Sequence, residues 1–168
     1  MQFIDKQKIM PEYIDRTLEN LNIIENSTSK SYEITQLINS FVGLLVLPKE
    51  KAFSNIDDAM IKEPILNTIK SNVKICKSKT GKDESINLKN IVKHLRNGVC
   101  HFRIDFYGNQ NIEKIRITDF YKNTKKQIKI QTFDTTLEVE LLRDFVMEFG
   151  ESMREKYTNT EKGVDINE

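Results

Sequence analysis

Arg96, Asn97 and His101 stand close together in the stretch Lys93-His-Leu-Arg-Asn-Gly-Val-Cys-His-Phe102. These are residue types that can cut a phosphodiester. A histidine with an ordinary pKa near 6.5 takes or gives a proton at neutral pH. An arginine is always charged, and its planar fork fits phosphate oxygens. RNA brings its own nucleophile, the 2′-hydroxyl beside the scissile phosphate. A base for that hydroxyl, an acid for the leaving oxygen and a cation for the developing charge are then sufficient. Asn97 is placed to orient Arg96 or a phosphate. Gly98, with no side chain, is expected to let a second helix come close.

On a helical wheel of about 100° per residue, the apolar stripe of this segment centres on Leu88 and Leu95. Asn97 falls opposite the stripe, with Arg96 to one side and His101 to the other. His94 lies near His101, two turns earlier, and is expected to be a surface or cap residue. One chain offers few acid-base groups on this face, so two copies meeting across a twofold axis would complete a site. The plainer alternative is that His101 only meets the carbonyls at the helix end.

Other chemistries find less support. Cys76 and Cys100 are too few for a disulfide framework and lack zinc-type pairing, which reads as two reduced thiols in a cytoplasmic protein. No paired carboxylates and no His/Cys ligand cluster are visible, so no metal and no cofactor is expected. The glycines form no phosphate-cradling loop, and no Ser/His/Asp set can be assigned. The N-terminus lacks an apolar core of signal-peptide length. The longest apolar run, Phe41 to Leu47, is too short to span a bilayer.

The net charge of +1 conceals an asymmetry. Between residues 70 and 93, Lys70, Lys74, Lys77, Lys79, Lys82, Lys89 and Lys93 face only Asp83 and Glu84. Lys122, Lys125, Lys126 and Lys129 form a second basic cluster, and the chain turns acidic after Asp134. Such runs are often just solvated faces. Beside the 93–102 segment, Lys93, Lys122, Lys125 and Lys126 are candidates for holding RNA.

The elements that must position these residues follow from periodicity. With 168 residues, 38% hydrophobic and 30% charged, the chain fits one folded domain. Ile14, Leu18, Leu21 and Ile24 predict a first helix over Pro11 to Glu25. A second, from Tyr32 to Leu47 and stopped by Pro48, is apolar nearly all round at its end and should be central. Asn39 and Gly43 would leave a shallow strip on it. A short helix is expected around Ile61 to Ser71, then a mobile loop from Cys76 to Ser85. The third long helix starts near Ser85. The period then changes to two: Ile115, Ile117, Ile128 and Ile130 predict a hairpin. A last helix is expected from Thr135, capped by Thr135 and Glu138, with Leu137, Leu141, Phe145, Phe149 and Met153 on its core face. The expected fold is mainly α, a four-helix bundle with a β-hairpin inserted before the last helix.

Arg96-Asn97-Gly-Val-Cys-His101 resembles the Arg-polar-x-x-x-His signature of the HEPN superfamily. Together with Tyr32 to Glu50, the hairpin and the final helix, the chain is similar to a bacterial branch of HEPN family nucleases. The resemblance spans roughly residues 10 to 155. One HEPN-like domain is then expected over residues 1–157, and the residues after Tyr157, 158–168, read as a disordered tail. It also implies a metal-independent endoribonuclease working as a homodimer, with Arg96, Asn97 and His101 in the cleft. Relatives of this kind often act as toxins or phage-defence effectors, some restrained by an antitoxin or another defence-system partner. A catalytically silent module that binds RNA or nucleotide, and a protein-interaction partner, remain the alternatives.

Overall fold

The computed structural model describes residues 9–27, 33–46, 56–109, 111–123 and 127–162. The described elements are α1 (Ile9–Glu25), α2 (Glu33–Val46), a 3-10 turn (Asp58–Met60), α3 (Glu63–Asn72) and β1 (Val73–Cys76). They continue with α4 (Leu88–Cys100), β2 (Ile104–Tyr107), β3 (Lys114–Asn123), β4 (Ile128–Glu138) and α5 (Val139–Lys162). No helix among the described residues is long and apolar enough to cross a membrane.

Leucines and phenylalanines at helical spacing bring the long helices together. Ile14, Leu18 and Leu21 of α1 meet Leu37, Phe41, Leu44 and Leu45 of α2, and Leu142, Phe145, Phe149 and Met153 of α5 complete the core. The Phe41 and Phe145 rings meet edge to face, and Phe145 stacks on Phe149. As its all-round apolar character predicts, α2 is central, packing against α1, α4 and α5. The strip at Gly43 is not left for another backbone: the Tyr13 side chain of α1 fills it.

The expected hairpin exists as β3 and β4, but it belongs to something larger. It forms the middle of a four-stranded antiparallel sheet in the order β1-β4-β3-β2. The two outer strands escaped the periodicity reading because Val73–Cys76 and Ile104–Tyr107 have only four residues each. A run that short holds too few alternations to distinguish a strand from a loop. Ile115, Ile117, Phe133 and Leu137 are buried, giving the sheet an apolar face that packs under α4.

Two boundaries differ from expectation. Thr135 is a strand residue, paired with Val73 and Ile117, and its hydroxyl donates to the Asn72 carbonyl rather than capping a helix. The helix therefore begins at Val139, and Leu137 packs from β4. At the other end α5 continues past Tyr157 to Lys162, where a tail was expected to have begun. The stretch from Cys76 to Ser85 is also built rather than loose. Lys77 bridges to Asp83, and the Glu84 amide donates to the Cys76 carbonyl at 2.9 Å.

The close approach at Gly98 is made within the chain. A Cβ there would lie 2.8 Å from the Thr118 carbonyl oxygen and 2.5 Å from Ile117 Cγ2 of β3. Gly98→Ala should therefore cost about 1–3 kcal/mol through overpacking. A shift in the urea midpoint at unchanged slope would measure this, and wild-type stability would refute the packing.

Candidate functional site

The helix carrying the signature is fixed at both ends by polar groups. Asn87 is its N-cap, its side chain accepting from the Asn90 amide at 2.9 Å, while the Asp58 carboxylate accepts from the Leu88 amide at 2.7 Å. At the C-terminus the Phe102 amide donates to the Val99 carbonyl, and the Arg103 amide to the Gly98 carbonyl at 2.9 Å. This is the paired 5→2 and 6→1 pattern that usually has glycine at the left-handed position. Here that position is Phe102, with φ 52° and a side chain 78% exposed. A non-glycine residue there costs about 1–2 kcal/mol, and an exposed phenylalanine recovers little of it by packing.

The structure sorts the polar residues of α4 into two groups. His94 and Asn97 turn toward β3. His94 is buried, its Nδ1 lies 2.9 Å from Asp119 Oδ2, and its ring stacks on Phe133 at 5.1 Å between centroids. The Asn97 amide donates to the same Asp119 oxygen at 3.1 Å. Arg103 donates to the other oxygen at 2.8 Å, as does the Phe120 amide. Burial alone would raise the Asp119 carboxyl, but the hydrogen bonds from His94 and Asn97 outweigh it and hold the pKa at about 2.

Arg96 and His101 form the second group. Arg96 is half-buried, and His101 is exposed at the C-cap with φ −101° and ψ 10°. Among the described residues, the His101 imidazole makes no hydrogen bond or ion pair. Its backbone amide closes the helix on the Asn97 carbonyl. Exposed aromatic side chains follow it, namely Phe102, Phe106 and Tyr107.

The candidate lysines are divided too. Lys93 is exposed, and its ammonium pairs with Glu84 at 2.8 Å; that bond, more than any other influence, holds the Glu84 carboxyl below its usual range. Lys70 pairs with Asp58, so part of the 70–93 excess is locally neutralised. Lys122 is exposed directly across the ladder from Lys129, whose ammonium sits 4.3 Å over the Phe120 ring. Lys125 and Lys126 lie outside the described residues. Gly98 packs at Ile117 and Thr118 while His94 meets Asp119, so α4 runs antiparallel to β3 and the Asn123 end of β3 is directed away from His101. At about 3.3 Å per residue, Lys122 lies roughly 16 Å along the strand from Ile117.

From the sequence His94 is expected to be a surface or cap residue, and no ligand cluster is visible. The fold corrects both. Cys76 from β1, Glu84 from the following turn and His94 from α4 bring one donor atom each within 4.8 Å of one another. Asp119 and Arg103 were not anticipated either. The only sequence signal was a charged residue standing among apolar neighbours in each strand region.

A family model described as HEPN pEK499 p136 matches residues 2–160, nearly the whole chain. The chain belongs to this HEPN family. No curated protein and no solved structure is similar enough to be matched. HEPN membership points to a nuclease or RNA-binding module in the broad sense.

The Asp119 cluster ties the signature helix of this HEPN domain to the sheet. Asp119→Ala would leave a buried imidazole, an amide and a guanidinium without their acceptor. It should cost about 3–5 kcal/mol, and Asp119→Asn less. Chemical denaturation of both variants measures the cost, and a loss below 1 kcal/mol for the alanine variant would show the cluster to be incidental.

Proposed function

We propose that this HEPN protein is an endoribonuclease that acts as a homodimer, with Arg96 and His101 of both copies facing one RNA strand. The observation that carries this reading is the division of labour on α4. His94 and Asn97 are engaged by Asp119, whereas His101 stands exposed beyond the helix end with its imidazole unengaged among the described residues. His94 is buried against β3, where substrate cannot reach it; a histidine held for proton transfer must reach substrate.

In the reaction, His101 of one copy removes the 2′-hydroxyl proton as that oxygen attacks phosphorus. The bond to the 5′-oxygen breaks, and the partner's histidine protonates the leaving oxygen. The Arg96 guanidinium binds the non-bridging oxygens as negative charge builds on them. The products are a 2′,3′-cyclic phosphate and a 5′-hydroxyl. Asn97 acts as a positioning residue, its amide fastening the helix end to β3. With Gly98 occupied by β3, the face available to a second copy is the solvent side of the last helical turn. A toxin or phage-defence role, restrained by a partner protein, fits a nuclease of this kind.

His101→Ala should reduce cleavage of mixed cellular RNA by roughly 10²- to 10⁴-fold while keeping the fold. Wild-type activity in EDTA, with the fold checked by circular dichroism, should leave cyclic phosphate ends and spare RNA methylated at the 2′-oxygen. Cleavage of the methylated RNA or of DNA would sink the mechanism. RNA binding with no cleavage at all would make the protein a silent binder.

Phe102 supplies a further test. A strained backbone that presents an exposed aromatic ring beside His101 suits stacking on an unpaired base, worth about 1–3 kcal/mol. Phe102→Gly should therefore stabilise the fold by up to about 1 kcal/mol and weaken RNA binding. Unchanged binding would remove Phe102 from the RNA contact.

A further inference from the structure

We propose that Cys76, Glu84 and His94 form a binding site for a zinc-class transition-metal ion, which clamps the turn after β1 onto the signature helix. This site is separate from the Arg96 and His101 chemistry, and its role is to hold the fold around that helix.

The donor set is the first reason. A thiolate, an imidazole and a carboxylate together suit zinc and its neighbours, whereas magnesium and calcium call for oxygen alone. Three protein ligands leave one tetrahedral position for water.

Geometry is the second reason. The three donor atoms lie within 4.8 Å of one another. His94 Nε2 is buried without a hydrogen-bond partner, 3.4 Å from Glu84 Oε2. That spacing is long for a charge-assisted hydrogen bond, which runs about 2.7–2.9 Å. It matches the edge of a tetrahedron whose metal–nitrogen and metal–oxygen bonds are about 2.0–2.1 Å, roughly 3.3–3.4 Å. The Cys76 sulfur would need to close on the other two atoms by a fraction of its present separation.

The surroundings are the third reason, because they resemble the outer shell of a metal site. His94 holds the Asp119 carboxylate at Nδ1, which leaves the Nε2 lone pair for a cation and fixes the ring's orientation. Phe133 stacks on the imidazole and keeps it from swinging. Lys93 hydrogen-bonds the Glu84 carboxylate, as outer-shell donors do for ligating carboxylates. The Cys76 thiol donates weakly to the Ser85 carbonyl at 3.9 Å. On metal binding its S–H bond breaks, a metal–sulfur bond forms and the proton leaves to water.

Cobalt(II) is the probe. The full chain, freed of metal with a chelator and shown to be folded, is titrated with cobalt and followed by absorbance. One equivalent should give a thiolate-to-cobalt charge-transfer band in the near ultraviolet, and zinc should bleach it and raise the thermal midpoint. The band should vanish in Cys76→Ser and survive in Cys100→Ser. If Cys76→Ser does not fold, Glu84→Gln, at the half-buried position of the turn, should weaken cobalt binding at least 10-fold. No band in the folded wild type, a band that depends on Cys100, or affinity unchanged in Glu84→Gln would each overturn the site and leave only a histidine between two carboxylates. RNA cleavage is not the readout, so the site and the ribonuclease reading stand or fall separately.

Discussion

One carboxylate, Asp119, determines how the helical layer meets the sheet. It sits 5% exposed on β3 and takes donors from α4, from Arg103 just before β2 and from its own strand. An isolated buried carboxylate would be costly enough to neutralise itself. With His94, Asn97, Arg103 and the Phe120 amide around it, the charge is retained and becomes a registration point. Moving α4 by one turn along β3 would take His94 and Asn97 away from Asp119. The ladder is irregular at this same place, with the register shifting between Asp119 and Phe120. Such a shift bends and twists a strand, and here it coincides with the change from the buried middle of β3 to a half-buried end.

The two histidines show how context overrides position. They stand two turns apart and share a side of the helical wheel, yet one is buried and the other exposed. β3 covers the middle of α4, where His94 meets Asp119. At His101 the chain has left the helical path, closing the helix through backbone amides before entering β2. The left-handed conformation at Phe102 belongs to this exit. It sets an aromatic ring in solvent next to the exposed histidine, an arrangement that folding alone does not require.

Charge is partitioned in a similar way. Lysines that form a continuous basic run in the sequence are separated by the fold into ion pairs with Asp58, Asp83 and Glu84. Exposed pairs of this sort contribute little stability, but they remove free cationic surface from that side of the molecule. The hairpin end differs. Lys122 and Lys129 oppose each other across the strands, a mildly unfavourable pairing that a polyanion would relieve.

The sequence by itself determined the long helices and the family signature on α4. Apolar residues at three- and four-residue spacing marked α1, α2 and α4, because a helix long enough to bury one face repeats that spacing several times. Alternation marked the β3–β4 hairpin for the same reason. Arg96 and His101 could be proposed from the sequence because they stand on one short segment whose geometry is local. Only the tertiary structure decided that the hairpin is the centre of a four-stranded sheet, since β1 and β2 are too short to carry a period. It likewise decided that Thr135 pairs in a strand, that Gly98 is filled by β3, and that His94 is buried between Asp119 and Glu84. Those outcomes depend on distant partners: Asp119 for His94, 25 positions away, Val73 for Thr135 and Thr118 for Gly98. Hydrogen bonds and close contacts across such separations leave no spacing in the sequence, because the physics that selects them acts between surfaces that exist only once the chain has folded.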